Sequence, residues 1–160
     1  MKKQSITSIK KGMSSYIREV VVQYKPLNTE KIQVNQPYNV SMFIQRTIGN
    51  DCRENFILLC IDNKNTIVGY SLISIGTVSE AVVHPREVFI PAIMTKASGV
   101  IVAHNHPSGT MEPSRQDIET TKRLVEAGKI LGIPVVDHII VGFNNSTIER
   151  YYSLKEHNYM

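Results

Sequence analysis

The stretch that most limits what this chain can fold into is Gly99-Val100-Ile101-Val102-Ala103, a β-branched run that opens directly into His104-Asn105-His106-Pro107-Ser108-Gly109. Such a run reads as a short buried strand. Residues two apart on a strand project from the same side, so His104 and His106 face one point while Asn105 faces away. Pro107 keeps His106 out of the helical region, and Ser108-Gly109 lets the chain turn back. Ser114, followed three residues later by Asp117 and then by Ile118, Leu124, Val125 and Leu131 at helical spacing, reads as the N-cap and first turn of a long helix. A strand exit and a helix start are thereby expected to meet, with Asp117 returned to the two histidines.

A helix start offers free N–H groups and a partial positive charge, which hold a carboxylate in the ionised form that a metal requires. Two imidazoles, one carboxylate and one open position make a catalytic zinc arrangement. Each piece has an ordinary alternative: a lone His-x-His is usually structural, and a Ser-x-x-Asp before an apolar run is usually only a capping pair. Their conjunction at one strand-loop-helix junction favours a metal site with His104, His106 and Asp117 as ligands. Imidazole ligands suit zinc better than magnesium, with iron and manganese as the alternatives, and one zinc per chain is expected.

His-x-His, ten intervening residues and then Asp, with Ser three before that Asp, resembles the metal motif of the JAB/JAMM (MPN-type) metallohydrolases. Gly76-Thr77, Val83-His84-Pro85-Arg86-Glu87-Val88-Phe89, Ala103 to Gly109, Pro113 to Ile118 and Asp137-His138-Ile139-Ile140-Val141-Gly142 narrow the resemblance to the RadC branch, over residues 38–155. The resemblance implies a single α/β domain with a curved mixed β-sheet flanked by helices, the cytidine-deaminase-like JAB/MPN architecture. It further implies a zinc ion at the sheet edge and hydrolysis of an amide or isopeptide bond in a peptide or isopeptide-linked protein. It matches His104, His106 and Asp117 to the ligands and Ser114 to the serine that positions the attacking water or the oxyanion. Glu54, at the head of Arg53-Glu54-Asn55-Phe56-Ile57-Leu58-Leu59, matches the glutamate that moves the water's proton to the leaving nitrogen. Glu87 is the rival glutamate, but it falls in an expected first helical turn, where an acid is favoured by the dipole alone. Full-length members of this branch carry a further N-terminal helix-hairpin-helix region, and none is expected in this chain. Two other readings are a RadC-like protein of DNA repair or mobile elements that processes or binds nucleic acid, and a metal-binding module without turnover.

The chain has 160 residues, of which 42% are hydrophobic and 20% charged, with a net charge of +4. This is ordinary composition for one globular domain. The lysines and arginines are interleaved with acids, so the charge permits a nucleic-acid partner without arguing for one. Gln4 to Ser15 is too polar for a signal peptide, and no run approaches the ~20 apolar residues of a membrane span, so a cytoplasmic protein with no membrane partner is expected. Cys52 and Cys60 on one extended segment would lie about 26 Å apart, beyond disulfide reach, and read as free thiols.

Residues 1–36 read as an N-terminal strand, through Tyr16 to Tyr24, and a polar connector; 37–160 reads as the JAB/MPN domain. Within it the pattern predicts a helix over 37–48 and a hairpin of strands 55–61 and 66–75 turning at 62–65. A helix should follow His84 and run to about Ala97, with Pro91 forcing a kink or a late start. The helix from Ser114 to Leu131 should carry charge pairs Glu119–Arg123 and Lys122–Glu126 on its wet face, end at Gly132, and lead into a strand over 135–141. His84 reads as a helix-entry residue, His138 as a buried partner of Asp137, and His157 as part of a frayed tail.

Overall fold

The structure is a computed structural model and describes residues 20–27, 29–35, 37–76, 83–142 and 151–160. In chain order its elements are α1 (Pro37–Ile44), a π-helical turn (Gln45–Gly49), β1 (Glu54–Ile61), β2 (Ile67–Gly76), α2 (Pro85–Met94), β3 (Gly99–His106), α3 (Arg115–Leu131), β4 (Val135–Gly142) and β5 (Tyr151–Ser153). The strands form one five-stranded mixed sheet in the order β2-β1-β3-β4-β5, with β3 and β4 parallel and the other pairs antiparallel. The β3–β4 pair is parallel because α3 carries the chain back between them, which a short turn could not do.

Period-two alternation divides the sheet into two apolar faces. Phe56, Leu58 and Cys60 of β1 and Val100 and Val102 of β3 pack with Val88, Phe89 and Ala92 of α2 and Leu124 of α3. The alternate residues, Ile57, Leu59, Ile61, Ile101, Ala103, Ile139 and Val141, pack beneath Val40, Ile44 and Ile48. The central strands are covered on both sides, so they read as unbroken apolar runs rather than alternating ones.

The π turn has a sequence cause. Val40, Ile44 and Ile48 recur every four residues, which drifts off the face of a 3.6-residue helix. Widening the last turn returns Ile48 to the core, so the helix expected over 37–48 is α-helical only to Ile44. Helix α2 runs unbroken through Pro91 from its cap at His84, so the start is not late, and it ends at Met94 rather than Ala97. There the Thr95 hydroxyl donates to the carbonyls of Pro91 and Ala92, and Lys96 takes φ 54°. On α3 Glu119 binds Arg115 at 2.8 Å in place of the expected Arg123, which donates to Thr120, and the expected Lys122–Glu126 ion pair is not formed.

Of the expected N-terminal strand, residues 16–19 lie outside the described residues, and 20–27 forms no strand. Val20 and Val21 are exposed, and Tyr24 donates its hydroxyl to Met94 O. The described part of the connector instead bridges the sheet's outer strand region, Gln33 pairing with Thr66. Cys52 and Cys60 are free thiols. Among the described residues no helix is long and apolar enough to cross a membrane.

Candidate metal centre

The register of the sheet builds the site. Phe56 of β1 pairs with His104 of β3, so continuing that antiparallel register brings Glu54 level with His106. Glu54, His104 and His106 share the face that packs against α3, because each lies an even number of residues from Phe56, Leu58, Val100 or Val102. Helix α3 starts over this corner and contributes Asp117. One ligand-type atom from each of Glu54, His104, His106 and Asp117 lies within 4.8 Å of the others. Glu87 stands outside this group, exposed in the first turn of α2 and paired with Arg86 at 3.2 Å.

Asp117 is held before any metal is considered. Its Oδ2 accepts from Ser114 N at 2.7 Å and from Ser114 Oγ at 2.6 Å, while Ser114 Oγ accepts from Asp117 N, a complete capping box. Its oxygens face His104 Nε2 at 3.4 Å and His106 Nε2 at 3.7 Å. Burial alone would raise the Asp117 carboxyl, but contact with His106, the charge of His104 and the Ser114 hydrogen bonds outweigh it and hold it well below the usual carboxylate range.

The imidazoles differ. His104 is fully buried, stacks on Phe56 at 6.0 Å, and is driven toward the neutral form by burial and by His138. His106 is partly open; its Nδ1 donates to Thr110 O at 2.6 Å, and its Nε2 lies 2.9 Å from His104 Nε2. Asp117 draws its pKa upward against burial. Glu54 is half-buried, and burial raises its pKa from 4.5 to about 7, with His106 opposing and Asp117 adding to the rise. A cleft lined by Glu54, Phe56, Ser74, Gly76, Val83, Gln116, Asp117 and Thr120 opens beside it.

Two features of this corner lie outside the sequence reading. Asn105, turned to the opposite face, is fully buried and clamps the start of β1: its Oδ1 accepts from Asn55 N at 2.7 Å, and its Nδ2 donates to the carbonyls of Asp51 and Arg53. That fixes the backbone on both sides of Glu54. His138 is buried as expected, but its ring does not pair with the Asp137 carboxylate. Adjacent strand residues point to opposite faces, so Asp137 turns away to bind Ser153 Oγ, Lys155 N and the His138 backbone N–H. The His138 ring instead meets His104 and Thr121. The only sequence signal for this was the alternation that sets His138 on the face of Ile140. His84 caps α2 through its Nδ1, and His157 stacks on Tyr152 at 3.9 Å, so it is not frayed.

A His-x-His at a strand exit, an aspartate from the facing helix start and a glutamate from the neighbouring strand, over a mixed sheet, define a JAB-type domain with a candidate metal centre. Residues 34–159 match the family described as a RadC-like JAB domain, and the chain belongs to that family. Similar proteins include a UPF0758 protein of Rubrobacter xylanophilus, 48% identical over 124 residues that cover 78% of this chain and 52% of that protein. Another, of Methanosarcina barkeri, is 44% identical over 130 residues, 81% of this chain and 55% of its own length. A third, of Methanosarcina mazei, is 38% identical over 163 residues, 99% of this chain and 69% of that protein. The chain thus spans about half the length of the first two. The UPF0758 name leaves the activity open.

Proposed function

We propose that the chain is a zinc-dependent hydrolase of the JAB/JAMM type that cleaves an amide or isopeptide bond in a peptide or isopeptide-linked protein. The observation that carries this reading is the convergence of Glu54, His104, His106 and Asp117 on one point. The donor set suits a metal. With Nδ1 donating to Thr110 O, His106 turns Nε2 toward His104 Nε2 and Asp117, and the upward pull of Asp117 on its pKa marks this as a point that favours positive charge, which a proton or a metal ion can supply. His104, His106 and Asp117 would hold the ion. Zinc bound there supplies a Lewis acid that acidifies water toward a pKa of about 7 and polarises a carbonyl.

The remaining roles belong to the chain's own groups. Glu54, level with His106 at the mouth of the cleft, would accept a proton at its carboxylate and return it to a leaving nitrogen; burial favours its protonated form, and a cation held by its neighbours would favour the ionised one. Ser114 holds Asp117 Oδ2 with the one hydrogen of its hydroxyl, so it orients the ligand first and must release that bond before serving an oxyanion. Phe56 and Val83 wall the cleft beside Glu54.

The test is to screen zinc-loaded and chelator-stripped protein on a panel of peptides and isopeptide-linked proteins, with nuclease substrates and DNA retention at low salt alongside. Zinc-dependent release of an amine from a peptide or isopeptide substrate is the expected result. Zinc-dependent cleavage of nucleic acid with no amide hydrolysis would replace this reading with a nucleic-acid one.

A further inference from the structure

Behind His104 runs a hydrogen-bonded chain that the reaction above leaves unused. His104 Nδ1 is 2.8 Å from His138 Nε2, His138 Nδ1 is 2.6 Å from Thr121 Oγ1, and Thr121 Oγ1 is 2.6 Å from Asp117 O. All three side chains are fully buried, on three different elements: β3, β4 and α3. The chain therefore begins at the backbone of one proposed ligand and ends at the ring of another.

Its direction follows from counting hydrogens. A carbonyl cannot donate, so the 2.6 Å contact with Asp117 O takes the single hydroxyl hydrogen of Thr121. With that hydrogen spent, Thr121 Oγ1 can only accept from His138, whose Nδ1 must carry a proton. A neutral His138 then presents a bare Nε2, which can only accept from His104 Nδ1–H. His104 is left with its lone pair on Nε2, the atom facing His106 and Asp117. Had Thr121 been an apolar residue of the same shape, His138 could take either tautomer, and so could His104.

We propose that His138 and Thr121 are positioning residues: by this directed chain they hold His104 as the Nδ1–H tautomer and aim its Nε2 lone pair into the metal centre. The proposal rests on the metal reading of the site. It differs from the usual support of a ligand histidine, which is a carboxylate, a carbonyl or water; here the acceptor is a second neutral imidazole, itself oriented by a hydroxyl. The device orders the ligand without placing another negative charge beside it. It also ties the start of α3 to β3 through β4, so that the His104 ring and Asp117 are aligned by one network.

Long-range 15N–1H correlation spectra of zinc-free protein at pH 8 read the tautomers directly, without any variant. The expected result is the Nδ1–H form for both His104 and His138; an Nε2–H His104, or a tautomer mixture, overturns the proposal. In parallel, zinc affinity is measured by chelator competition for the wild type, Thr121→Val and Thr121→Ser. Thr121→Val keeps the shape and loses the hydroxyl, and it should bind zinc about 10- to 100-fold more weakly and shift His138 away from the pure Nδ1–H form. Thr121→Ser should restore both. His138→Gln, whose amide can accept from His104 and donate to Thr121, should bind more tightly than His138→Leu. Thr121→Val with wild-type affinity, in a protein whose wild type binds zinc, overturns the positioning role alone. A wild type that binds no zinc overturns the metal reading and the aiming role with it.

Discussion

Glu54→Gln should stabilise the zinc-free protein at alkaline pH while removing the group proposed to move the proton. Burial raises the Glu54 pKa from 4.5 to about 7, which means that the fold disfavours the ionised carboxylate. Below about pH 4.5 the group is protonated in both folded and unfolded chains and has no effect through ionisation. Between 4.5 and 7 the unfolded chain releases a proton that the folded one retains, so stability falls as pH rises, and above 7 the full cost is present. At 1.36 kcal/mol per pH unit the ceiling is about 3 kcal/mol. The side chain is only half-buried, and solvent screening reduces this to roughly 1–2 kcal/mol. Glutamine keeps the shape and cannot ionise. Urea denaturation of chelator-stripped wild type and Glu54→Gln should therefore give similar stabilities at pH 4.5 and a gain of about 1–2 kcal/mol for the variant at pH 8. A variant less stable than wild type at pH 8, or a gap that does not change with pH, would refute the reasoning.

Three further outcomes are expected. Glu54→Gln should retain zinc yet lose roughly two to four orders of magnitude in turnover, the usual worth of a positioned acid–base group, whereas Glu87→Gln, on the exposed face of α2, should lose far less; steady-state kinetics on the substrate found by screening decides between them. Asn105→Ala leaves the buried Asn55 N–H without its acceptor, which should cost about 1–3 kcal/mol in denaturant titration and, by loosening the backbone at Glu54, lower turnover more than zinc content. Gly128→Ala would place a Cβ 2.6 Å from Ile133 O and 3.3 Å from Phe89 Cζ, so despite the better helix propensity of alanine it should destabilise by about 1–3 kcal/mol in thermal melts, with zinc affinity unchanged.

The parts of the site legible in the sequence are those whose physics is local. Strand alternation put His104 and His106 on one side, the Ser114–Asp117 capping box set the start of α3, and the hairpin from β1 to β2 announced its turn through Asp62, whose Oδ1 accepts from Lys64 N and Thr66 N. What the sequence concealed depends on register between distant strands. His138 reaches His104 only because β4 lies parallel to β3 with His138 opposite Val102. Asn105 clamps β1 across 50 residues, and no spacing rule announces such a contact. The charge pairs on α3 were misread because several partners four apart compete on an exposed face at nearly equal energy, and Arg115 reached Glu119 in place of Arg123. The resemblance to JAB/JAMM proteins selected Glu54, and the sheet register places it level with His106, whereas Glu87 lies outside the converging group.

The central claim is tested most directly by metal stoichiometry at the four converging residues. Protein stripped with chelator and reloaded with zinc should contain one zinc per chain by elemental analysis. His104→Ala, His106→Ala and Asp117→Ala should each lose tight binding while keeping a native-like circular dichroism spectrum, because a three-ligand site that loses one member keeps neither its geometry nor its charge balance. Sub-stoichiometric zinc that no added metal raises, or ligand variants that bind one zinc per chain with wild-type affinity, would contradict the account.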